Sequence, residues 1–151
     1  MKRLEDQFQR NLNAWWRLQY PQTWKKTVHV PSEMPAKSRV SAAIAKGLGW
    51  KAGVPDILCF ARRGGYSGLA IELKIGSNKP SDAQQGWLTA LEEEGWRVGW
   101  FNNLDAARDF VDQYHAQPTQ PPILVEGPLS KEALAAIEKS WRDRHTGKVR
   151  P

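Results

Sequence analysis

Gly53-Val54-Pro55-Asp56-Ile57-Leu58-Cys59-Phe60, followed by Leu69-Ala70-Ile71-Glu72-Leu73-Lys74-Ile75, is the stretch on which the fold turns. The first segment reads as a strand that begins near Val54-Pro55. Its apolar run from Ile57 to Phe60 is the pattern of a strand buried on both faces. The second segment alternates strictly. Leu69, Ile71, Leu73 and Ile75 take one face, and Ala70, Glu72 and Lys74 take the other. Arg62-Arg63-Gly64-Gly65 between them has turn chemistry, so the two segments read as a hairpin.

Downstream of the hairpin, Gly76-Ser77-Asn78-Lys79-Pro80 is a loop. Ser81 then caps a helix that runs to about Glu94 and is terminated by Gly95. Arg97-Val98-Gly99-Trp100-Phe101 is a further core strand, and Asn103 caps a helix that ends near Tyr114. Upstream, residues 3–20 carry Leu4, Phe8, Leu12 and Trp15 as an apolar stripe of helical period, and Pro21 stops that helix. Thr27-Val28-His29-Val30 is a short strand closed by Pro31. Ser41 to Lys46 suits a helix ended by Gly47 or Gly49. The order of elements predicts an α/β fold: a small mixed sheet flanked by helices.

The length of 151 residues suits one compact domain, organised as a core over 1–115, a Pro-rich connector over 116–129 and a last segment over 130–151. That last segment reads as an amphipathic helix (Leu134, Ile137, Trp141) and a basic tail. The eight tryptophans read mainly as core packing. A single cysteine, Cys59, excludes an internal disulfide framework and points to a reducing compartment such as the cytoplasm. Met1-Lys2-Arg3-Leu4-Glu5-Asp6 shows no apolar signal-peptide core, and no apolar run reaches the roughly 20 residues that span a bilayer, so no membrane partner is expected.

A formal charge of +6 and a pI of about 9.6 favour a polyanionic partner, nucleic acid first. Arg62 and Arg63 in the turn could grip phosphate, or form a solvated loop. Lys37, Arg39, Lys46 and Lys51 could form a backbone-binding strip ahead of the first hairpin strand, with Lys79 beyond the second. Lys139, Arg142, Arg144, Lys148 and Arg150 could extend that footprint or simply keep the chain soluble.

Against this basic background, two carboxylates on an apolar sheet stand out. Glu72 and Lys74, two residues apart in a strand, share a face. The hairpin can bring Asp56 beside Glu72. Carboxylates on such a surface are costly without compensation, and a divalent cation compensates them. Hard cations take oxygen ligands, commonly one or two carboxylates, and the Leu73 carbonyl could supply another oxygen. Lys74 would then orient the attacking water, help deprotonate it or meet a phosphate oxygen. The rival reading is an ordinary Glu72–Lys74 ion pair on a solvated sheet face.

Pro55-Asp56 followed by Glu72-Leu73-Lys74 resembles the PD-(D/E)XK signature of restriction-endonuclease-like nucleases. The wider context is more specific. Gly53 to Asp56, Gly68 to Lys74, Lys79-Pro80-Ser81-Asp82-Ala83-Gln84, Trp87-Leu88, Leu91 and Gly95 to Val98 together resemble the virus-type replication-repair nuclease domain, VRR-Nuc. The similarity extends upstream to Glu5, Phe8-Gln9 and His29-Val30-Pro31, and covers about residues 4–114. Ser32 departs from it, standing where the family usually has Asn.

The resemblance implies a restriction-endonuclease-like core and a metal-dependent nuclease. Asp56 and Glu72 would be ligands of Mg²⁺ or Mn²⁺, Lys74 the catalytic lysine, and Glu5 and Gln84 supporting residues, Glu5 as a further candidate ligand. It also implies a homodimer acting on branched DNA such as four-way junctions. The alternative is a nuclease-like fold that binds DNA without cutting it.

Helical geometry bears on the two supporting residues. Glu5 lies close to the apolar stripe of the first helix, placed to turn inward, although an acidic residue in a first turn also favours the helix dipole. Gln84 falls at the centre of the stripe formed by Trp87, Leu88 and Leu91. It also fits a capping box with Ser81, and both roles can be served in part. His29 reads as a satisfied core or edge histidine. His115 and His145 lack metal-ligand spacing and carry no assignment.

Overall fold

The computed structural model of the chain describes residues 2–31, 38–120, 131–132, 134–136 and 138–139, with the side chains of Lys2 and Arg3 left aside. Its elements in order are α1 (Lys2–Gln19), α2 (Pro21–Trp24), β1 (Thr27–His29), α3 (Arg39–Gly47), β2 (Ile57–Cys59), β3 (Leu69–Leu73), α4 (Asp82–Glu93), β4 (Arg97–Phe101) and α5 (Leu104–His115). Two units are distinguished, Met1–Gln120 and Pro121–Pro151. The second is described only at 131–132, 134–136 and 138–139, all helical. Ser32, Lys37, Ile137, Trp141, Arg142, Arg144, His145, Lys148 and Arg150 lie outside the described residues.

The hairpin forms with β2 and β3 antiparallel, Ile57 opposite Ile71 and Cys59 opposite Leu69. β1 adds antiparallel to β2, and β4 adds parallel to β3 after the α4 crossover. The result is a mixed sheet of four strands in the order β1-β2-β3-β4. Such a mixed sheet between helices is an α/β architecture consistent with the restriction-endonuclease-like fold.

The alternation of β3 sorts its two faces. Leu69, Ile71 and Leu73 join Ile57 and Cys59 in a core with Phe8, Leu12 and Trp16 of α1 and Ala107, Val111 and Tyr114 of α5. The opposite face, with Ala70 and Glu72, lies toward α4. All five β3 residues are buried.

Several local expectations are corrected. Leu4 is 61% exposed, and Trp16 rather than Trp15 fills the core, because the stripe of α1 centres on Phe8, Leu12 and Trp16 at helical spacing. α1 ends before Pro21 as expected, yet the chain re-enters a helical turn at once. Tyr20 is held out of the helical region (φ −133°, ψ 60°), as a residue before proline tends to be, and Pro21 opens α2. β2 is shorter than its apolar run. Leu58 is only half-buried and Phe60 is 52% exposed, because α4 covers the second face around β3 and leaves this part of β2 open. Among the tryptophans of the described residues only Trp16 is fully buried, and Trp100 is 39% exposed. The helix over 39–47 carries a Ser38–Ser41 capping box.

Among the described residues no helix is long and apolar enough to cross a membrane.

Candidate active site

Continuing the β2–β3 register one step past Ile57 and Ile71 sets Asp56 opposite Glu72. Three contacts hold Asp56 there. Its Oδ2 accepts the Leu73 amide at 2.8 Å. Its carbonyl accepts from the Val30 amide and from His29 Nδ1, each at 2.9 Å, which ties it to β1.

The loop before Asp56 is pinned to α4. Trp87 Nε1 donates to the Ala52 carbonyl at 3.1 Å. Gly53, at φ +82°, lies so close to α4 that a Cβ there would stand 2.6 Å from the Ala83 carbonyl carbon. Only glycine accommodates both that backbone and that approach.

Glu72 is fully buried. Its Oε1 accepts from Lys74 Nζ at 2.5 Å and also from Gln84 Nε2. Its Oε2 is buried and has no hydrogen-bond partner. Lys74 is fixed from behind, because its amide donates to the Phe101 carbonyl of β4 at 2.8 Å. The Glu72–Lys74 ion pair of the rival reading therefore exists, but it is buried rather than solvated.

Gln84 serves two elements at once. Its Oε1 accepts from the Ser81 amide at 2.9 Å, completing the capping box of α4, while its Nε2 reaches Glu72.

Burial pushes the Glu72 carboxyl up to about 7, and the charge of Asp56 adds to the shift. Burial also raises Asp56, opposed first by the Leu73 amide and then by Lys74. The negative charge of half-buried Glu5 raises Asp56 further, so α1 delivers Glu5 to within electrostatic reach of the pair.

Among the described residues no three His, Cys, Asp or Glu side chains come together as a metal cluster, so Glu5 does not close a three-carboxylate site with Asp56 and Glu72. The donors that meet are two carboxylates. This set fits a hard divalent cation, which commonly takes one or two carboxylates and fills its remaining positions with other oxygens. The orphaned Glu72 Oε2 is the atom such an ion would satisfy.

The basic residues divide. Lys51 and Lys79 are exposed on the loops leading into Asp56 and out of Lys74, and Arg39 and Lys46 are exposed on α3. Arg62 and Arg63 sit at the other end of the hairpin, roughly 20 Å of extended chain from Asp56. The structure does not bring them to the carboxylates. Arg63 instead bridges to Tyr66 and Thr119, and the Gly64 amide donates to the Pro118 carbonyl, which pins the segment after α5 to this turn. His29 is an exposed edge-strand histidine with its Nδ1 satisfied, and Cys59 is packed in the core.

Sequence reasoning assigned nothing to His115, which lies in a second, partly buried polar cluster. Its Nδ1 donates to the Val111 carbonyl at 2.7 Å, so its Nε2 accepts from the Thr23 hydroxyl at 2.6 Å. Its ring stacks on Tyr20 at 3.9 Å. No linear signal links these residues.

No curated protein matches the chain. A solved structure of a VRR_NUC domain protein superposes with a TM-score of 0.66 at 28% identity, over 76% of this chain and 90% of the other. The model of the VRR-NUC domain family matches residues 3–104, a span that contains Glu5, Asp56, Glu72, Lys74 and Gln84. With a match over more than half its length and the same fold in a solved relative, the chain belongs to the VRR-NUC domain family.

Proposed function

We propose that the protein is a divalent-metal-dependent endonuclease that hydrolyses phosphodiester bonds in DNA, selects branched DNA such as four-way junctions, and works as a homodimer. The observation that carries this reading is Glu72: fully buried, with one oxygen held by Lys74 and Gln84 and the other without a partner. A buried carboxylate half satisfied and half open is poor structure, since each unpaired buried polar group costs about 1–3 kcal/mol or more. It is good preparation for a cation.

Mg²⁺ or Mn²⁺, held by Asp56 and Glu72 with the Leu73 carbonyl as a third oxygen, would polarise the scissile phosphate and lower the pKa of the attacking water. The chain's own residues do the rest. The Leu73 amide fixes the Asp56 carboxylate. Gln84, anchored by the α4 cap, fixes the Glu72 rotamer. Lys74, drawn to Glu72, presents a cation to a non-bridging phosphate oxygen and to the water beside it. Glu5 adds negative potential next to Asp56, which strengthens the pull on a cation. Cys59 is sequestered in the core, so transfer to a cysteine nucleophile is not part of the reading.

Dimerisation is supported by the need to cut more than one strand of a duplex or junction. The row of exposed Val40, Ile44 and Leu48 along α3 and its C-cap also supports it.

The test is cleavage of labelled four-way junction, linear duplex and single-stranded DNA with Mg²⁺, Mn²⁺ or EDTA, comparing wild type with Asp56→Ala and Lys74→Ala. Metal-dependent cutting lost in both variants, fastest on the junction, is the expected result. Binding without cutting of any substrate would assign the fold to a non-catalytic DNA-binding module. A monomer by light scattering at assay concentration would remove the dimer.

A further inference from the structure

Two adjoining cavities lie along the flank of α1, away from its core face. One, of about 260 Å³, is bounded by Asp6, Gln9, Arg10, Asn13 and His29. The next, of about 250 Å³, is bounded by Arg10, Asn13, Ala14, Arg17 and Trp24. Because Arg10 and Asn13 line both, the two form one groove between α1 and the β1–α2 edge of the sheet. Each half falls below the roughly 300–1,000 Å³ of a small-molecule pocket, and the whole is elongated rather than enclosed.

We infer that this groove holds the sugar–phosphate backbone of the DNA strand that runs into the active site, with Arg10 and Arg17 on its phosphates. The inference rests on the nuclease reading above and adds the path of the substrate.

Three observations carry it. First, the groove adjoins the site through His29. His29, in its wall, donates to the Asp56 carbonyl at 2.9 Å, and the Gln9 carboxamide lies against the same histidine nitrogen. Glu5, one helical turn before Gln9, acts on Asp56. Second, Arg10 and Arg17 are exposed, and neither makes an ion pair or hydrogen bond among the described residues. They lie two turns apart on one side of α1, roughly 10 Å along the axis, or about three steps of duplex rise. Free guanidinium groups in file suit phosphate oxygens, which they grip by two parallel hydrogen bonds. Third, half-buried Trp24 offers a ring wall at the far end of the groove, and Asn13, which lines both halves, presents a carboxamide whose Nδ2 can donate to a phosphate oxygen. Asp6 is the one acidic residue in the lining, and it repels the same ligand.

The experiment measures fluorescence anisotropy of a labelled junction in EDTA across a salt series, and separately steady-state cleavage with Mg²⁺, on the full chain. The variants are Arg10→Gln/Arg17→Gln, Arg10→Lys/Arg17→Lys and Asp6→Asn. The Gln pair should weaken binding roughly tenfold and flatten the slope of log K against log salt by about 1.4 to 1.8, the value for two lost phosphate contacts. KM should rise with kcat retained at saturation. The Lys pair, which keeps both charges, should restore the slope. Asp6→Asn should tighten binding by roughly twofold to fivefold.

An unchanged slope and KM in the Gln pair would overturn the groove while leaving the nuclease intact. Wild-type binding without cutting would sink the nuclease reading, yet the salt slope would still decide the groove. Absence of any wild-type binding at low salt would overturn both.

Discussion

Two hydrogen-bonded polar clusters of this molecule invite comparison. One is Thr23, Tyr20, His115 and Asp112, where α2 meets α5. The other is Asp56, Glu72, Lys74 and Gln84, at the end of the hairpin. In the first, the partners close on one another. Thr23 Oγ accepts from Trp16 Nε1 at 3.3 Å and serves His115, and Tyr20 donates to Asp112 at 2.5 Å. Beside it, Tyr114 donates to the Ala61 carbonyl at 2.6 Å. In the second, two acids face each other and Glu72 Oε2 is left open. The closed cluster stabilises; the open one stores an electrostatic demand that a ligand can meet. Buried polar groups are normally satisfied, so the exception marks the chemistry.

The largest effects that would sharpen this contrast lie in the open cluster. Lys74→Ala or Asp56→Ala should lower kcat on cleavable DNA by about 10²–10⁴-fold, the range for removal of a group acting in the transition state. Thermal unfolding without metal should stay close to wild type or rise for Asp56→Ala, which removes a like charge beside Glu72, and should fall for Lys74→Ala, which leaves buried Glu72 without its counter-charge. A loss of activity accompanied by collapse of the fold would break the contrast.

The next effect is a pH dependence of opposite sign in the two clusters. Glu72 is raised from its ordinary 4.5 to about 7. Its contribution to metal-free stability is therefore full below about 4.5 and is lost as pH rises through about 7, on the order of 3 kcal/mol. His115 is lowered from 6.5 by burial. Its contribution is full above 6.5 and is lost as pH falls through the depressed value. Urea unfolding in EDTA should show wild type losing stability between about pH 4.5 and 7, and Glu72→Gln should lack that loss and fall only on acidification. Identical profiles for the two proteins would contradict the burial argument.

Smaller still is Thr23→Val. It leaves His115 Nε2 and Trp16 Nε1 without their partner and should cost about 2–3 kcal/mol of stability by chemical denaturation. Cleavage kcat should change less than twofold at a temperature where the fold persists. A large kcat effect would mean that the closed cluster is coupled to the site.

The smallest is Gln84→Ala, which touches both a cap and the site. A loss of about 1 kcal/mol from the cap should accompany a drop in kcat of roughly tenfold or less. Gln84→Glu keeps the capping acceptor and removes the donor to Glu72, so it should separate the two roles.

Much of the site is legible along the chain because it is built from neighbours in one hairpin. Strand alternation puts Glu72 and Lys74 on one face, and pairing across a turn brings up Asp56. Gln84 follows from a helix that must start soon after the strand. Glu5 is harder, since its approach to Asp56 depends on how α1 packs over the sheet. The arginines of the turn stand apart from the carboxylates for a geometric reason: a residue six positions along an extended chain is close in sequence and far in space. Leu4 and Phe60 mislead differently, because an apolar stripe does not say how far its covering element reaches.

What the sequence by itself determined is therefore the local and paired structure: the capped helices, the β2–β3 hairpin, and the shared face of Glu72 and Lys74. Periodicity of two, turn chemistry and caps act over a few residues and leave a mark in the chain. Tertiary structure alone decided that Glu72 is fully buried and half satisfied, that His115 closes a network with Thr23, and that Arg10 and Arg17 line a groove walled by His29, which also contacts Asp56. Those depend on which surfaces of distant segments meet. Burial, dielectric and charge proximity are properties of that meeting, and no local pattern encodes them.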